Sequence, residues 1–260
     1  MLRFEYKYFV PFEKLRQLRR SMEPFMHQDS YAVKNGGEYT VRSIYFDTPE
    51  LECYFQKLAG VKRRNKVRLR GYNMEERGEV FLEIKKKVDE PLLKNRAPMS
   101  FDAARKILKG LPVEKFVLPT LKYPLAVEDA RRFLYHIYTR RMLPTVTVIY
   151  EREPFQAILK DRENDLRITF DKHLRAVAYP TLDELFDEKH PILVNEQYFI
   201  MEIKFNRYLP AWAKAIVTAF GLKKVPASKY ILCMDAIRDT SFDSLKMSVG
   251  SWQLGVLGKG

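Results

Sequence analysis

Cysteine is scarce in this sequence, with only Cys53 and Cys233 among 260 residues. Two cysteines cannot build the disulfide framework of a small secreted domain, so a reducing compartment is the simpler interpretation. No stretch approaches the roughly 18 consecutive apolar residues that a membrane-spanning helix needs. The first residues, Met1-Leu2-Arg3-Phe4-Glu5, lack an apolar signal region. These absences predict a cytoplasmic chain without membrane spans of its own.

Sequence motifs for phosphate loops and for common catalytic centres are also missing. There is no glycine-rich phosphate loop of the P-loop type and no G-x-G-x-x-G after a strand. The four histidines lack zinc-ligand spacing, and they are His27, His136, His173 and His190. No nucleophilic triad is indicated. Any polyanion that binds this chain must therefore be held by side chains rather than by a backbone loop.

Positive charge, in contrast, is abundant. The sequence has 46 Lys and Arg against 33 Asp and Glu, a formal net charge of +13. Such a balance indicates an anionic partner, which could be nucleic acid, a membrane surface or a phosphorylated small molecule. Hydrophobic residues make up 46% of the chain, which is ample for a core in one large domain or two small ones.

Several predicted strands carry charges on one face and apolar side chains on the other. In an extended segment from Val80 to Val88, Glu83 and Lys85 point to one side while Leu82 and Ile84 point to the other. Four other segments repeat this pattern, around Arg3 to Tyr8, Val67 to Arg70, Arg167 to Phe170 and Met201 to Phe205.

Two arrangements satisfy this pattern, and a run of charges is usually a solvated face. The charged faces can be ordinary solvated faces of an antiparallel sheet. Alternatively, the strands can close into a barrel with the charges in its lumen. Closely spaced cations repel one another in a narrow interior, so the second arrangement requires carboxylates, water or a bound polyanion to offset them.

The remaining patterns place helices between the strands. Helices are predicted over about Phe12 to Met22, Leu51 to Leu58, Phe101 to Lys109, Val127 to Tyr138, Thr181 to Lys189 and Ala211 to Phe220. Further strands are predicted over Glu38 to Asp47, Leu92 to Met99, Thr145 to Arg152 and Phe155 to Lys160. Tyr230 to Ile237 fits either a helix or a buried strand. Residues 1–240 are predicted to form one domain, followed by a tail over residues 241–260.

Eight short motifs occur in an order that resembles a known family. They are Phe4-Glu5-Tyr6-Lys7-Tyr8-Phe9-Val10, Ser43-Ile44-Tyr45-Phe46-Asp47, Val67-Arg68-Leu69-Arg70, Phe81-Leu82-Glu83-Ile84-Lys85, Tyr150-Glu151-Arg152, Arg167-Ile168-Thr169-Phe170-Asp171, Met201-Glu202-Ile203-Lys204 and Ser228-Lys229. The chain in this way resembles the catalytic domain of the vacuolar transporter chaperone (VTC) complex. That domain is a polyphosphate polymerase among the triphosphate tunnel metalloenzymes. The resemblance extends from about residue 3 to about residue 238.

The resemblance implies a fold, a reaction and a cofactor. The implied fold is α+β, with a closed antiparallel eight-stranded β-barrel, a polar lumen and helices packed on the outside. The implied reaction transfers the terminal phosphoryl group of ATP to a growing polyphosphate chain, with Mn²⁺ or Mg²⁺ as the cofactor. Phosphoryl transfer of this kind needs positioning and charge neutralisation more than covalent work by the protein.

The resemblance also implies site residues. The phosphate-binding cations at the catalytic positions are Lys7, Arg68, Arg70, Lys85, Arg152, Arg167 and Lys229. The further substrate-binding residues are Glu5, Arg42, Glu83, Lys204 and Ser228. Glu202 matches the metal-binding glutamate. Other roles remain open: Glu202 could simply pair with Lys204, and Ser228 could be only a helix N-cap.

Two rival functions remain open on the sequence. The first is a tunnel triphosphatase, in which a carboxylate such as Glu5 or Glu83 positions water. The motif keeps only Glu5 before Lys7, where the wider superfamily has paired glutamates, and this departure weakens a hydrolase assignment. The second is a non-catalytic binder of polyphosphate or RNA. No nucleic acid is expected, because the aromatic residues lie mostly opposite the charges.

The resemblance leaves the partners of the chain partly open. ATP and polyphosphate are the expected ligands. A separate membrane-protein partner could hold a cytoplasmic chain of this type at a membrane. The oligomeric state and the product length are not indicated by the sequence.

Overall fold

The computed structural model describes residues 3–73, 78–87, 93–159, 161 and 164–240. The predicted tail over residues 241–260 lies outside these ranges, and the division at residue 240 stays a prediction. Over the described ranges, an α+β fold combines one large antiparallel sheet with helices on its faces. None of the helices in these ranges combines the length and the apolarity that crossing a membrane demands.

Within the described ranges the sheet contains ten strands. They are β1 (Arg3–Pro11), β2 (Met26–Gln28), β3 (Tyr39–Asp47), β4 (Arg64–Tyr72), β5 (Glu79–Lys87), β6 (Leu93–Ser100), β7 (Leu143–Ala157), β8 (Leu166–Ala178), β9 (Ile192–Leu193) and β10 (Tyr198–Asn206). The predicted strands Thr145 to Arg152 and Phe155 to Lys160 are joined as β7, which passes through Pro154 opposite Thr169 of β8.

Seven α-helices accompany the sheet in the part of the chain that the structure describes. They are α1 (Leu15–Met22), α2 (Ser30–Lys34), α3 (Glu52–Leu58), α4 (Phe101–Leu108), α5 (Ala126–Thr139), α6 (Ala211–Ala219) and α7 (residues 229–240). The ambiguous segment from Tyr230 to Ile237 is thus helical. The predicted helix from Thr181 to Lys189 is a short 3₁₀ helix, Leu182–Phe186. The sequence analysis did not predict β2, α2 or β9.

The predicted closed barrel is wrong, because the sheet is open. Its strand order is β1-β10-β8-β7-β3-β4-β5-β6, with β2 added to β7 and β9 added to β8. Within the described ranges, the end strands β1 and β6 do not pair with each other. The predicted count of eight strands holds only for the main path.

Other segments cover the two free edges that a barrel would have joined. On β1, Val225 N donates a hydrogen bond to Lys7 O at 2.8 Å, and Tyr8 forms a bridge with Lys224. On β6, Arg96 N donates to Asp129 Oδ2 of α5 at 2.8 Å. Unpaired edge groups are a liability in any sheet, and these contacts pair some of them without closure.

The open sheet still curls strongly. Lys85 of β5 lies 3.3 Å from Glu5 of β1, although these strands are far apart in the strand order. The alternation along the strands places both residues on the same face, together with Arg68 and Glu202, and we call this the cation face. The curl turns the cation face inward.

Apolar clusters fill the opposite face and one end of the cation face. On the opposite face, α4 and α5 pack against β3 to β6, while α1 and α6 pack against β1, β8 and β10. On the cation face, α7 packs its apolar residues against β3 and β7. The remainder of that face is left to the charged side chains.

Asp47, at the end of β3, ties α3 and α7 to the sheet. This residue has no exposed surface. Its carboxylate accepts hydrogen bonds from the backbone N–H groups of Thr48 and Cys53 at 2.8 Å and of Tyr54 at 2.9 Å. It also accepts one from the Tyr230 hydroxyl at 2.6 Å. One carboxylate thereby fixes the start of α3 and the position of α7.

We expect Asp47→Ala to destabilise the fold strongly, because it leaves three buried N–H groups and one hydroxyl without an acceptor. The free energy of unfolding, measured by urea denaturation, should fall by about 3 kcal/mol or more. Tyr230→Phe removes one of these four bonds and should cost about 1 kcal/mol. Equal losses in the two variants would contradict the anchoring role of Asp47.

Candidate active site

A cavity that opens to solvent lies on the cation face. Six strands and the start of α7 contribute to it. Its lining residues are Glu5, Lys7, Tyr45, Lys66, Arg68, Arg70, Lys85, Tyr150, Arg152, Glu202, Lys204, Ser228 and Lys229. Eight of these are cations and two are carboxylates, so the cavity has a strong excess of positive charge.

Alternate residues of β4 supply one wall of the cavity. Lys66, Arg68 and Arg70 point inward, while the intervening Val67 and Leu69 are fully buried in the core of the other face. Arg68 donates a hydrogen bond from Nη1 to the Tyr45 hydroxyl at 2.7 Å. This wall contains the two arginines of the motif Val67-Arg68-Leu69-Arg70, together with Lys66 as one further cation.

Glu83, which faces Arg68 across β4 and β5 on the same side of the sheet, holds the guanidinium groups of this wall in place. Its carboxylate has no exposed surface and lies 2.6 Å from Arg68 Nη2, 2.8 Å from Lys94 Nζ and 2.9 Å from Arg96 Nε. Burial alone would raise the pKa of Glu83, but these cations and Arg70 hold it well below its usual value. Glu83 is therefore a permanent anion that orients cations, and it does not line the cavity.

Strands β1 and β10 supply the opposite wall, on which lysine and glutamate side chains alternate. Lys7 lies 2.9 Å from Glu5 and 3.8 Å from Glu202, while Lys204 pairs with Glu202. Burial and the neighbouring Glu202 would raise the pKa of Glu5, yet Lys7, Lys85 and Lys204 lower it to about 2. Glu202 likewise has a pKa well below its usual value, because the surrounding cations outweigh its burial. Both carboxylates are anionic at neutral pH.

The third wall is built from β7, β8 and the start of α7. Arg152 donates two hydrogen bonds to the buried Asp171, from Nε at 2.7 Å and from Nη2 at 2.8 Å. Lys229 Nζ lies 2.5 Å from the same carboxylate and 4.7 Å from the centre of the Tyr150 ring. Asp171 thus fixes two cations that face the cavity.

The structure brings ten of the thirteen residues predicted from the sequence to this cavity. They are Lys7, Arg68, Arg70, Lys85, Arg152, Lys229, Glu5, Lys204, Ser228 and Glu202. Their placement follows from strand alternation, except for Ser228 and Lys229, which reach the cavity through the packing of α7. The roles assigned to them stay predictions.

Three predicted residues do not line the cavity. Glu83 lies beside Arg68 on the cation face, but its side chain is fully buried among its cation partners. Arg42 is almost fully buried on the opposite face, where it pairs with Glu188 at 2.5 Å. Arg167 lies on the cation face, but its Nη2 donates to Asp29 Oδ2 at 2.8 Å, away from the cavity lining.

Three lining residues were missed by the sequence analysis as site residues. They are Lys66, Tyr45 and Tyr150. The alternation along β4 could have identified Lys66, because it precedes Arg68 by two residues. The tyrosines could not be separated from core aromatics by sequence, since aromatic residues on strands more often pack in a core.

No three His, Cys, Asp or Glu side chains come together as a metal site anywhere in the part of the chain that the structure describes. In the cavity the nearest approach is the pair Glu5 and Glu202, which share Lys7 as a counter-charge. Carboxylate oxygens are suitable donors for Mg²⁺ or Mn²⁺, which usually complete their coordination with water and substrate phosphates.

Comparison with known proteins identifies the family. The sequence pattern of the VTC domain matches residues 2–238. This chain belongs to the VTC domain family. The predicted resemblance is confirmed over almost the whole of the described structure.

One relative is the vacuolar transporter chaperone complex subunit 4 of Schizosaccharomyces pombe. It is 26% identical over 228 residues, a match that covers 74% of this chain and 31% of the relative. This VTC-domain chain therefore spans about a third of the length of that protein.

Solved structures give weaker similarities. One, from Bacillus halodurans, is described as a candidate adenylate cyclase; it has a TM-score of 0.48 at 15% identity and covers 88% of this chain and 96% of that chain. A Pyrococcus horikoshii protein has a TM-score of 0.43 at 13% identity, over 90% of this chain and 98% of that chain. At these TM-scores the similarity carries no argument about function.

We expect Glu83→Gln to destabilise the VTC domain, because four cations lose their shared counter-charge. The free energy of unfolding at pH 7 should fall by about 3 kcal/mol. The contribution of Glu83 is complete above the ordinary carboxyl pKa of 4.5 and is lost as the pH falls through its lowered pKa. The difference between wild type and variant should therefore shrink only in acid, below about pH 4.5.

Glu114→Gln is the matched control for this experiment. Glu114 pairs with Arg131, but both side chains are more than half exposed. Such a surface pair contributes little, so this variant should unfold like the wild type. A loss in Glu83→Gln no larger than in the control would contradict the orienting role of Glu83.

Proposed function

We propose that this VTC domain is a polyphosphate polymerase that transfers the terminal phosphoryl group of ATP to a growing polyphosphate chain. The observation that carries the proposal is the cavity lined by eight cations and two carboxylates. An excess of buried positive charge fits a ligand with many closely spaced negative charges. Membership of the VTC domain family and similarity to a vacuolar transporter chaperone subunit support the same substrate class.

The cations suit the parts of a phosphate chain. The Nε and Nη2 groups of Arg68 and Arg152 are already held by Glu83 and Asp171, so the remaining N–H groups of these arginines and those of Arg70 would bind phosphate oxygens. Lys7, Lys85, Lys204 and Lys229 act as point charges that can follow a chain whose position changes. Together they would hold the triphosphate of ATP and the end of the product in line for transfer.

The carboxylates of the cavity favour transfer to phosphate over transfer to water. Hydrolysis benefits from a general base with a pKa near the working pH. The pKa of Glu5 is about 2 in this environment, because its lysine neighbours outweigh burial and Glu202, so Glu5 is a weak base. Glu83, the other carboxylate considered for this role, is enclosed by cations. A terminal phosphate of a chain is already an anion, and it can attack without losing a proton.

The proposed step conserves atoms and charge. A terminal oxygen of the polyphosphate chain forms a bond to the γ-phosphorus of ATP. The bond between that phosphorus and the bridging oxygen breaks, and the electron pair leaves on ADP. The arginines and lysines of the cavity stabilise the charge that moves onto the bridging and terminal oxygens. No proton transfer is required.

Glu202 is the residue that would hold a divalent ion. Its carboxylate faces the cavity and is ionised, and a hard oxygen donor of this kind fits Mg²⁺ or Mn²⁺. When bound, such an ion would neutralise phosphate charge as a Lewis acid. Lys204 and Lys7 now balance Glu202, and the phosphates of a ligand would draw those lysines to themselves.

The setting of the activity is part of the proposal. The relative is named as a subunit of a vacuolar transporter chaperone complex. We infer that this chain also works with other proteins, and that a separate membrane protein could hold it at a membrane. A cytoplasmic location and the absence of a nucleic-acid partner stay predictions.

Incubation of the purified chain with ATP and Mn²⁺ or Mg²⁺ tests the function. We expect ADP and a phosphate polymer that a polyphosphate-specific exopolyphosphatase degrades. Orthophosphate with ADP, without polymer, would indicate a triphosphatase instead. Tight polyphosphate binding with no ATP consumption would indicate a non-catalytic binder.

Two arginine variants test whether the cavity is the site of the reaction. Arg70→Met removes a lining guanidinium and should lower kcat/KM for ATP by about 100-fold, as expected for the loss of charged hydrogen bonds. Arg167→Met removes a guanidinium that pairs with Asp29 outside the lining, and it should change kcat/KM less than about tenfold. The reverse order of effects would place the reaction elsewhere on the cation face.

A further inference from the structure

Lys66 differs from the other cations of the cavity in its electrostatic partners. Seven of the eight lie within 4.0 Å of a carboxylate, and these seven are Lys7, Arg68, Arg70, Lys85, Arg152, Lys204 and Lys229. In the described part of the chain, Lys66 has no carboxylate at that distance. Its Nζ donates one hydrogen bond, to the neutral Ser228 Oγ at 2.7 Å.

The charged residues that act most strongly on Lys66 are all positive. Lys7 faces it from β1, Lys85 from β5, Arg68 from its own strand and Lys57 from α3. Ser228, just before α7, is the neutral group in contact with it. Burial, followed by these four positive charges, holds the pKa of Lys66 well below its usual value. A buried ammonium group in such a place is costly unless an anion accompanies it.

We propose that Lys66 and Ser228 form a binding position for one phosphate group, at which the bound anion supplies the counter-charge that the protein omits. This inference rests on the proposed function, because it takes the ligand of the cavity to be a chain of phosphates. An ammonium and a hydroxyl can both donate to the non-bridging oxygens of one phosphate. Phosphate binding then favours the charged form of Lys66, so a proton is taken up from solvent.

Lys66 therefore differs from the other cations of the cavity in when it acquires a counter-charge. The seven paired cations keep a counter-charge whether or not a ligand is present. Lys66 acquires its counter-charge only with the ligand, so more of its electrostatic energy goes into binding. The cost is borne by the free protein, as is common for groups preorganised for binding.

A structural role would have the opposite effect on stability. If Lys66 served to fix Ser228 and the start of α7, its removal would destabilise the free protein. If Lys66 instead serves to bind an anion, Lys66→Met removes a buried charge and fills a similar volume. The substitution should then stabilise the free protein. The sign of the change in Tm therefore separates the two roles.

The experiment compares the full chain with Lys66→Met, using inorganic tripolyphosphate as the probe and EDTA to exclude metal ions. Without the probe, we expect a higher Tm for Lys66→Met than for the wild type. With the probe, calorimetry should give a Kd weaker by about 10- to 100-fold. Lys214→Met, which removes an exposed lysine of α6, is the control and should match the wild type in both measurements.

The pH dependence provides a readout that simple charge removal would not give. The penalty carried by Lys66 in the free protein is absent above its ordinary pKa of 10.5 and grows as the pH falls towards its lowered pKa. The Tm difference between Lys66→Met and wild type should therefore be larger at pH 7 than near pH 10. Calorimetry in buffers of different ionisation enthalpy should show fewer protons taken up by the variant on tripolyphosphate binding.

The outcomes separate this inference from the proposed function. A lower Tm for Lys66→Met without the probe, or an unchanged Kd, would overturn the inference even if the wild type makes polyphosphate from ATP. A wild type that binds tripolyphosphate through Lys66 but makes no polymer would overturn the function and leave the inference standing. Failure of the wild type to bind tripolyphosphate would overturn both.

Discussion

Burial of positive charge is the constraint on which the rest of this structure depends. Cations held close together out of water repel one another, and the fold tolerates them only where anions are placed among them. Glu83 does this for the arginines of β4, Asp171 for Arg152 and Lys229, and Glu202 with Glu5 for the lysines of β1 and β10. Each carboxylate lies on or behind the cation face, where it fixes the direction of its partners. The cavity is thereby organised before any ligand arrives, which lowers the cost of binding a polyanion.

The frame that encloses this charge does not need a closed barrel. The segment around Val225 pairs with part of the edge of β1, and Asp129 of α5 accepts a hydrogen bond from the edge of β6. One end of the cation face is filled by α7, which Asp47 anchors through Tyr230. The same anchoring brings Ser228 and Lys229 to the cavity. Stability at the apolar end and chemistry at the charged end are therefore coupled through a single helix.

Strand alternation explains both the successes and the failures of the sequence analysis. It predicted that Arg68, Arg70 and Lys85 share a face, because residues two apart on a strand point the same way. The same rule would have added Lys66 and would have put Arg42 with the apolar Ile44. It could not exclude Arg167, which lies on the correct face, because its pairing with Asp29 depends on where α2 packs. Strand alternation also could not predict that the sheet is open, since edge contacts such as that of Asp129 join residues far apart in sequence.

The sequence by itself determined the family, most of the strands and helices, the excess of cations and the face of each long strand on which they lie, since these depend on residue order and on the period of a strand. The tertiary structure decided which cations meet, which carboxylate each one faces and which cation is left without one, because these depend on sheet curl and on the packing of α7. Lys66 illustrates the division. Its charge and its strand position are written in the sequence, whereas its lack of a counter-charge arises only when Lys7, Lys85 and Ser228 gather around it.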